Sequence, residues 1–132
     1  MDYRPYQLEY INNIQVGKSN LLIATMRAGK SLILKGIIDK YFQGKKVLIL
    51  VGIRHVIEQL ATYYEDYSFI LAGKPFDHSK HIHLGTFQTL QRRDIDLSEY
   101  DMICIDEIHM RFNTDIVKEI RKLSCTRIYM TG

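Results

Sequence analysis

Leu21-Leu22-Ile23-Ala24-Thr25-Met26-Arg27-Ala28-Gly29-Lys30-Ser31 is the stretch that decides how this 132-residue chain folds. Its first four residues form an uninterrupted apolar run, as in strands buried on both faces. A helical pattern begins at Lys30 and continues to about Phe42, where Gln43-Gly44-Lys45 stops it. The loop between them has the parts of a phosphate cradle. Gly29 lets the backbone wrap the phosphates, Lys30 reaches their outer oxygens, and the Ser31 hydroxyl holds Mg²⁺. The helix N-terminus adds its own anion-binding amides. Thr25, Met26, Arg27 and Ala28 complete the loop, and Ala24 stands where the full pattern has a further glycine. Arg27 either faces the terminal phosphates or points to solvent, the usual course for a long charged side chain.

Outward from this stretch the chain alternates strand and helix patterns. Leu8, Ile11 and Ile14 recur about one turn apart and predict a helix over Tyr6 to Val16, closed by Gly17. Val47 to Val51 is a second buried run, followed by a helix pattern from Val56 to Tyr64. Ser68 to Leu71 and His81 to Leu84 read as short strands, and Asp101 to Ile105 as a fifth apolar run. A helix from about Thr114 to Leu123 precedes a last strand, Arg127 to Met130. This alternation predicts an α/β fold with a mostly parallel central sheet and helices on both faces. The length suits one domain, residues 1–132, with no internal boundary. Ligands of such sheets bind at the carboxyl ends of the strands.

The second polar motif also comes directly after a buried strand. Ile103-Cys104-Ile105-Asp106-Glu107-Ile108-His109 sets two adjacent carboxylates at a strand end. Neighbouring acids repel unless a cation or a reaction needs them. In phosphate-loop enzymes the first acid holds Mg²⁺ and the neighbouring one acts on the attacking water. The plain alternative is a pair of acids capping the next helix. His109 taken alone is an ordinary packed or solvated histidine.

Composition narrows the function classes without choosing among them. Hydrophobic residues at 46% and charged residues at 25% are ordinary for a globular chain. The 18 Lys and Arg against 15 Asp and Glu leave +3, compatible with a phosphate-bearing partner but too little to demand one. The polar N-terminus has no signal-peptide character, and the longest apolar runs are far too short to span a bilayer. Cys104 and Cys125 make neither a disulfide framework nor a metal spacing. These features place the chain in the cytoplasm, or in the host cytoplasm for a viral protein.

Taken together, the motifs resemble the first RecA-like domain of superfamily 2 helicases and translocases, closest in flavour to phage and restriction-enzyme motors. Asp106-Glu107-Ile108-His109 looks like their DEAH-type motif II, and Ala24 to Ser31 like motif I. Arg4-Pro5-Tyr6-Gln7 is similar to the upstream element whose glutamine reads adenine. Val47 to Gln59, with Arg54, resembles motif Ia, although Gly52-Ile53 replaces its usual Pro-Thr. Gly85-Thr86-Phe87-Gln88-Thr89-Leu90 resembles the segment near motif Ib, and Met130-Thr131-Gly132 the start of motif III.

The resemblance implies a RecA-like P-loop NTPase domain that uses ATP and Mg²⁺. Arg4 and Gln7 would select adenine, and residues 25–31 would bind the phosphates. Lys30, Asp106, Glu107 and His109 would form the catalytic set, with Ser31 and Asp106 on the metal. His109 and Thr131 would link the nucleotide to the strand-binding side. Arg54, Thr86 and Gln88 would touch a nucleic-acid backbone, DNA favoured over RNA, or serve only as solvated and capping groups. The expected partner is a second RecA-like domain carrying an arginine finger, a group worth about 10³–10⁵ in rate. Without it, ATP hydrolysis by this chain should be weak or absent. Two other readings stand beside this one: a viral DNA-packaging terminase ATPase, and a truncated docking module that no longer cycles ATP.

Overall fold

Val47-Leu48-Ile49-Leu50-Val51 is buried along its whole length and runs through the middle of the sheet, flanked by a strand on either side. Only a β-branched and leucine-rich strand can be covered on both faces without burying a polar side chain. In a computed structural model of the chain, residues 3–23, 29–107 and 114–131 are described. Ala24 to Ala28, Ile108, His109 and Gly132, all quoted above for their motifs, lie outside the described residues.

The strands are β1 (Ser19–Ile23), β2 (Val47–Val51), β3 (Tyr67–Ile70), β4 (Ile82–Thr86), β5 (Met102–Ile105) and β6 (Thr126–Thr131). They form one sheet in the order β1-β6-β5-β2-β4-β3, and every neighbouring pair is parallel. The helices are α1 (Pro5–Asn12), α2 (Lys30–Tyr41), α3 (Arg54–Leu60), α4 (Phe87–Arg92) and α5 (Asp115–Arg121). Alternate side chains of the inner strands feed two separate cores. Strand β1, read from its apolar run as buried on both faces, instead lies at the sheet edge and buries Leu22 while Leu21 and Ile23 stay exposed. Val47, Ile49 and Val51 pack with α1, α2 and α3 through Ile11, Ile33, Ile37 and Ile57. Leu48 and Leu50 pack on the opposite face with α4 and α5 through Phe87, Leu90, Val117 and Ile120. Helices thus cover both faces, as the alternating pattern predicted.

The differences from the sequence reading are local. The first helix begins with Pro5, a residue preorganised for a first turn, and ends at Asn12 rather than Val16. Asn13 ends it, with its amide nitrogen donating to the Glu9 carbonyl at 2.8 Å. Ile14 then packs on the core from a loop. The helix after β2 starts two residues early, at Arg54, and finishes as a 3₁₀ turn over Ala61–Tyr63. Helix α4 has no counterpart in the sequence reading, because six residues carry too little periodicity to register.

One buried polar cluster sits at the opposite end of the sheet from the motifs. His83 on β4 is fully buried, its Nδ1 lies 2.6 Å from the Tyr100 hydroxyl, and Phe76 packs edge-on at 4.8 Å. Burial first, and then the Lys46 charge, hold its pKa down to about 4, below the ordinary 6.5. Below pH 6.5 the unfolded chain takes up a proton that the folded one refuses. The neutral imidazole's contribution is therefore complete above pH 6.5 and is lost as the pH falls toward 4, with a slope of at most about 1.4 kcal/mol per pH unit. Denaturant unfolding from pH 7 to 4.5 should show His83→Asn losing less stability with acid than the parent. Parallel profiles would remove His83 as a cause.

Candidate functional site

Lys30 opens α2, and its ammonium ends 3.1 Å from Asp106 Oδ1 and 3.4 Å from Glu107 Oε1. The topology makes this meeting possible. Lys30 and Asp106 are 76 residues apart in the chain, yet only β6 separates the strands that precede them, β1 and β5, in the sheet. Their carboxyl ends therefore deliver Gly29-Lys30-Ser31 and Asp106-Glu107 to one place. The Asp106 N–H donates to the Leu50 carbonyl at 3.0 Å, which extends the β5–β2 pairing by one residue and fixes the carboxylate. Asp106 Oδ1 also accepts the Glu107 N–H at 2.9 Å. Glu107 has φ 57, the one non-glycine residue with positive φ among those described. That left-handed conformation costs about 1 kcal/mol or more. It is the kind of strain that clusters where a side chain must be aimed.

The lysine is 6% exposed, whereas Asp106 and Glu107 are 20% and 44% exposed. An ammonium so far removed from water has to be paired, and the two carboxylates pair it. Phosphate oxygens would satisfy the same cation. Ser31 is half-buried beside it, and hydroxyl and carboxylate oxygens are the hard donors that Mg²⁺ takes. The site's residues therefore fit a metal–phosphate ligand. A cleft of about 440 Å³ opens here, bounded by Gly29, Lys30, Ser31, Asp106, Gln59 and Met130.

Gly29 is also where the N-terminal helix reports to the loop. Its φ of 73 is left-handed, and a Cβ there would stand 2.7 Å from Gln7 Nε2. Gln7 is buried, and its Oε1 accepts the Arg4 N–H at 2.9 Å, so one amide caps α1 while its other end lies against Gly29. Arg4 is exposed. The Tyr10 hydroxyl donates to the Ile23 carbonyl at 2.6 Å, tying α1 to the last residue of β1.

The residues expected on a nucleic-acid side divide in the structure. Gln88 is exposed on α4. Thr86 is buried, and its hydroxyl donates to Thr89 Oγ1 at 3.3 Å. Arg54 is exposed but engaged, donating to the Ala72 carbonyl at 2.8 Å and lying 3.7 Å from Glu58. Thr131 ends β6 opposite Ile23, at the same strand ends as Lys30. Thr25 to Ala28 and His109 fall outside the described residues. The sequence reading gave no role to Tyr63 and Val56, whose side chains line the cleft. Only their place on one face of α3 and the turn after it hinted at that.

The family described as "Type III restriction enzyme, res subunit" matches residues 1–132. The chain belongs to that family. No curated protein matches this res-subunit-type sequence closely enough to be paired with it. Among solved structures, the UvsW helicase of bacteriophage T4 superposes with a TM-score of 0.79 at 20% identity, over 98% of this chain and 52% of that one. The Sulfolobus solfataricus SWI2/SNF2 ATPase core, solved with double-stranded DNA, gives 0.75 at 19% identity over 100% and 32%. A nuclease-deletion mutant of the Type ISP restriction-modification enzyme LlaGI, solved with a DNA substrate mimic, gives 0.71 at 16% over 99% and 17%. The res-type chain thus spans about half or less of these structures, and the likeness shows a RecA-like helicase domain fold.

The Gln7–Gly29 contact can be read by a double-mutant cycle. Gly29→Ala adds both left-handed strain and a clash, costing about 1–2 kcal/mol in denaturant unfolding. Adding Gln7→Ala should relieve the clash alone, leaving a coupling of about 0.5 kcal/mol or more. Strict additivity would mean that the two residues do not press on each other.

Proposed function

We propose that the chain binds ATP with Mg²⁺ at the ends of β1 and β5, and serves as the ATP-binding half of a DNA-dependent helicase or translocase. The observation that carries this reading is the nearly dry Lys30 ammonium held between Asp106 and Glu107 beside left-handed Gly29. That arrangement keeps a cation ready for the terminal phosphates, and two acids ready for the metal and the attacking water. In this reading Lys30 exchanges carboxylate for phosphate oxygens, and Ser31 with Asp106 holds the metal. Magnesium bound there neutralises charge on the phosphates. Released from Lys30, Glu107 orients the attacking water and accepts its proton. In this reading the Gln7 amide, which can both accept and donate, is the group that reads the adenine edge, with Arg4 beside it.

A DNA partner is supported by the two similar structures that were solved with DNA or a DNA mimic. Gln88 and the exposed edge of Arg54 lie at the carboxyl ends of β2 and β4, where a backbone would be tracked. Completion of the site by an arginine from a second RecA-like domain fits the greater length of the similar structures.

Titration of ATP, ADP and GTP in Mg²⁺ against the parent and Lys30→Ala tests the core of this reading. Selective adenine-nucleotide binding should weaken by about ten- to a hundredfold in Lys30→Ala, since a hydrogen bond to a charged group contributes about 1.5–3 kcal/mol. Equal affinity in the two proteins would reject the phosphate site. Glu107→Gln should bind ATP as the parent does and abolish whatever turnover DNA elicits; unaltered turnover would take the water-activating role away from Glu107.

A further inference from the structure

Two arginines from different elements converge on one four-residue turn at the end of β3. The turn runs from Leu71 to Lys74, with left-handed Gly73 (φ 78) and the Lys74 N–H donating to the Leu71 carbonyl at 3.1 Å. Arg93, directly after α4, donates from a single Nη2 to the Leu71 carbonyl at 2.8 Å and to the Lys74 carbonyl at 3.3 Å. Arg54, the first residue of α3, donates to the carbonyl between them, that of Ala72, at 2.8 Å. Three carbonyls of a surface turn are thus held by two guanidiniums. Arg93 is half-buried, Arg54 and Lys74 are exposed, and the Lys74 ammonium lies 5.7 Å from the Phe69 ring centroid. Glu58, 3.7 Å from Arg54, is the acid paired with this group.

A turn needs no such reinforcement merely to close, because its own 3.1 Å hydrogen bond and Gly73 do that. What the arginines add is a rigid connection. They fasten the β3–β4 loop to the start of α3 and the end of α4, so three loops at the carboxyl side of the sheet share one frame. Two positive charges, those of Arg54 and Arg93, are fixed in that frame by hydrogen bonds, and the backbone that carries Lys74 is fixed with them.

We propose that Arg93 is a positioning residue for nucleic acid. Its Nη2, shared by the Leu71 and Lys74 carbonyls, locks the 71–74 turn to α4, and so holds Arg54 and Lys74 in register for successive phosphates of a single strand. The proposal rests on the reading of this face as the DNA side, and it assigns Arg93 a role that the motif resemblance did not. A lysine at 93 keeps the charge, but its shorter, flexible stem and rotating ammonium do not hold two donors in the fixed plane that the Arg93 Nη2 presents to both carbonyls.

The test is binding of a fluorescent oligo-dT to this chain over a series of KCl concentrations, for the parent, Arg93→Ala, Arg93→Lys and Lys74→Ala. Each lost single-strand phosphate contact lowers the slope of log K against log salt by about 0.7. Both Arg93 variants should lower the slope by at least the amount that Lys74→Ala does. ATP binding should be unchanged, and hydrogen exchange of the Lys74 amide should become faster in both. A parental slope in Arg93→Lys with a reduced one in Arg93→Ala would make Arg93 a simple charge and overturn the proposal. Parental slopes in both variants would overturn it as well. ATP binding without any salt-dependent oligo-dT binding in the parent would instead sink the DNA reading, and this inference with it.

Discussion

A lysine that is 6% exposed is tolerable only because two carboxylates reach it, and those carboxylates come from the far end of the chain. Isolated burial of an ammonium costs several kcal/mol, so the pairing of Lys30 with Asp106 and Glu107 constrains everything around it. Helix α2 must start where it does, β5 must end immediately before the acids, and β6 must lie between β1 and β5. The Leu50 carbonyl, by taking the Asp106 N–H, passes that constraint to the central strand. The site is therefore part of the sheet's own hydrogen-bond ladder and moves with it.

The same arrangement accounts for why the acids are adjacent. One carboxylate would neutralise Lys30; the second leaves an excess negative charge that a metal cation would compensate. Glu107 is held in the left-handed region to bring its side chain back toward the lysine, and its N–H is fixed by Asp106 Oδ1. Strain of that kind persists only where surrounding contacts over-determine it. Here the contacts are the strand before it and the ion pair above it.

The strands and the two polar motifs were legible because their signals are short-range. A five-residue apolar run bounded by turn residues marks β2 to the residue, and the Gly-Lys-Ser and Asp-Glu motifs each follow such a run at a strand's carboxyl side. Other features depend on where side chains meet across the fold. The apolar spacing selected Leu8 as an inward residue, yet Leu8 is 42% exposed and its polar neighbour Gln7 is 5% exposed. Gln7 is inside because it has partners there, a condition that periodicity does not record. His83, in a segment read only as a short strand, is buried with Tyr100 meeting its Nδ1. The turn held by Arg54 and Arg93 is likewise invisible in sequence, since its acceptors are backbone carbonyls that any residue supplies.

Gln7 joins the start of α2 to the N-terminal helix in a way that motif spacing alone does not convey. The helix is only eight residues long, too short to be stable alone, and side-chain hydrogen bonds to its surroundings hold it. Tyr10 bonds to the Ile23 carbonyl, Tyr41 to the Ile11 carbonyl at 2.8 Å, and Lys40 to Asn12 Oδ1 at 2.6 Å. Two of these bonds come from α2, the helix that Lys30 begins, and one goes to the strand that leads into the phosphate loop. With Gln7 Nε2 pressed against Gly29, α1 cannot shift without disturbing the residue that caps the start of α2. Gln7 and the start of α2 thus form one mechanical unit, so a ligand that touches either one meets the stiffness of both.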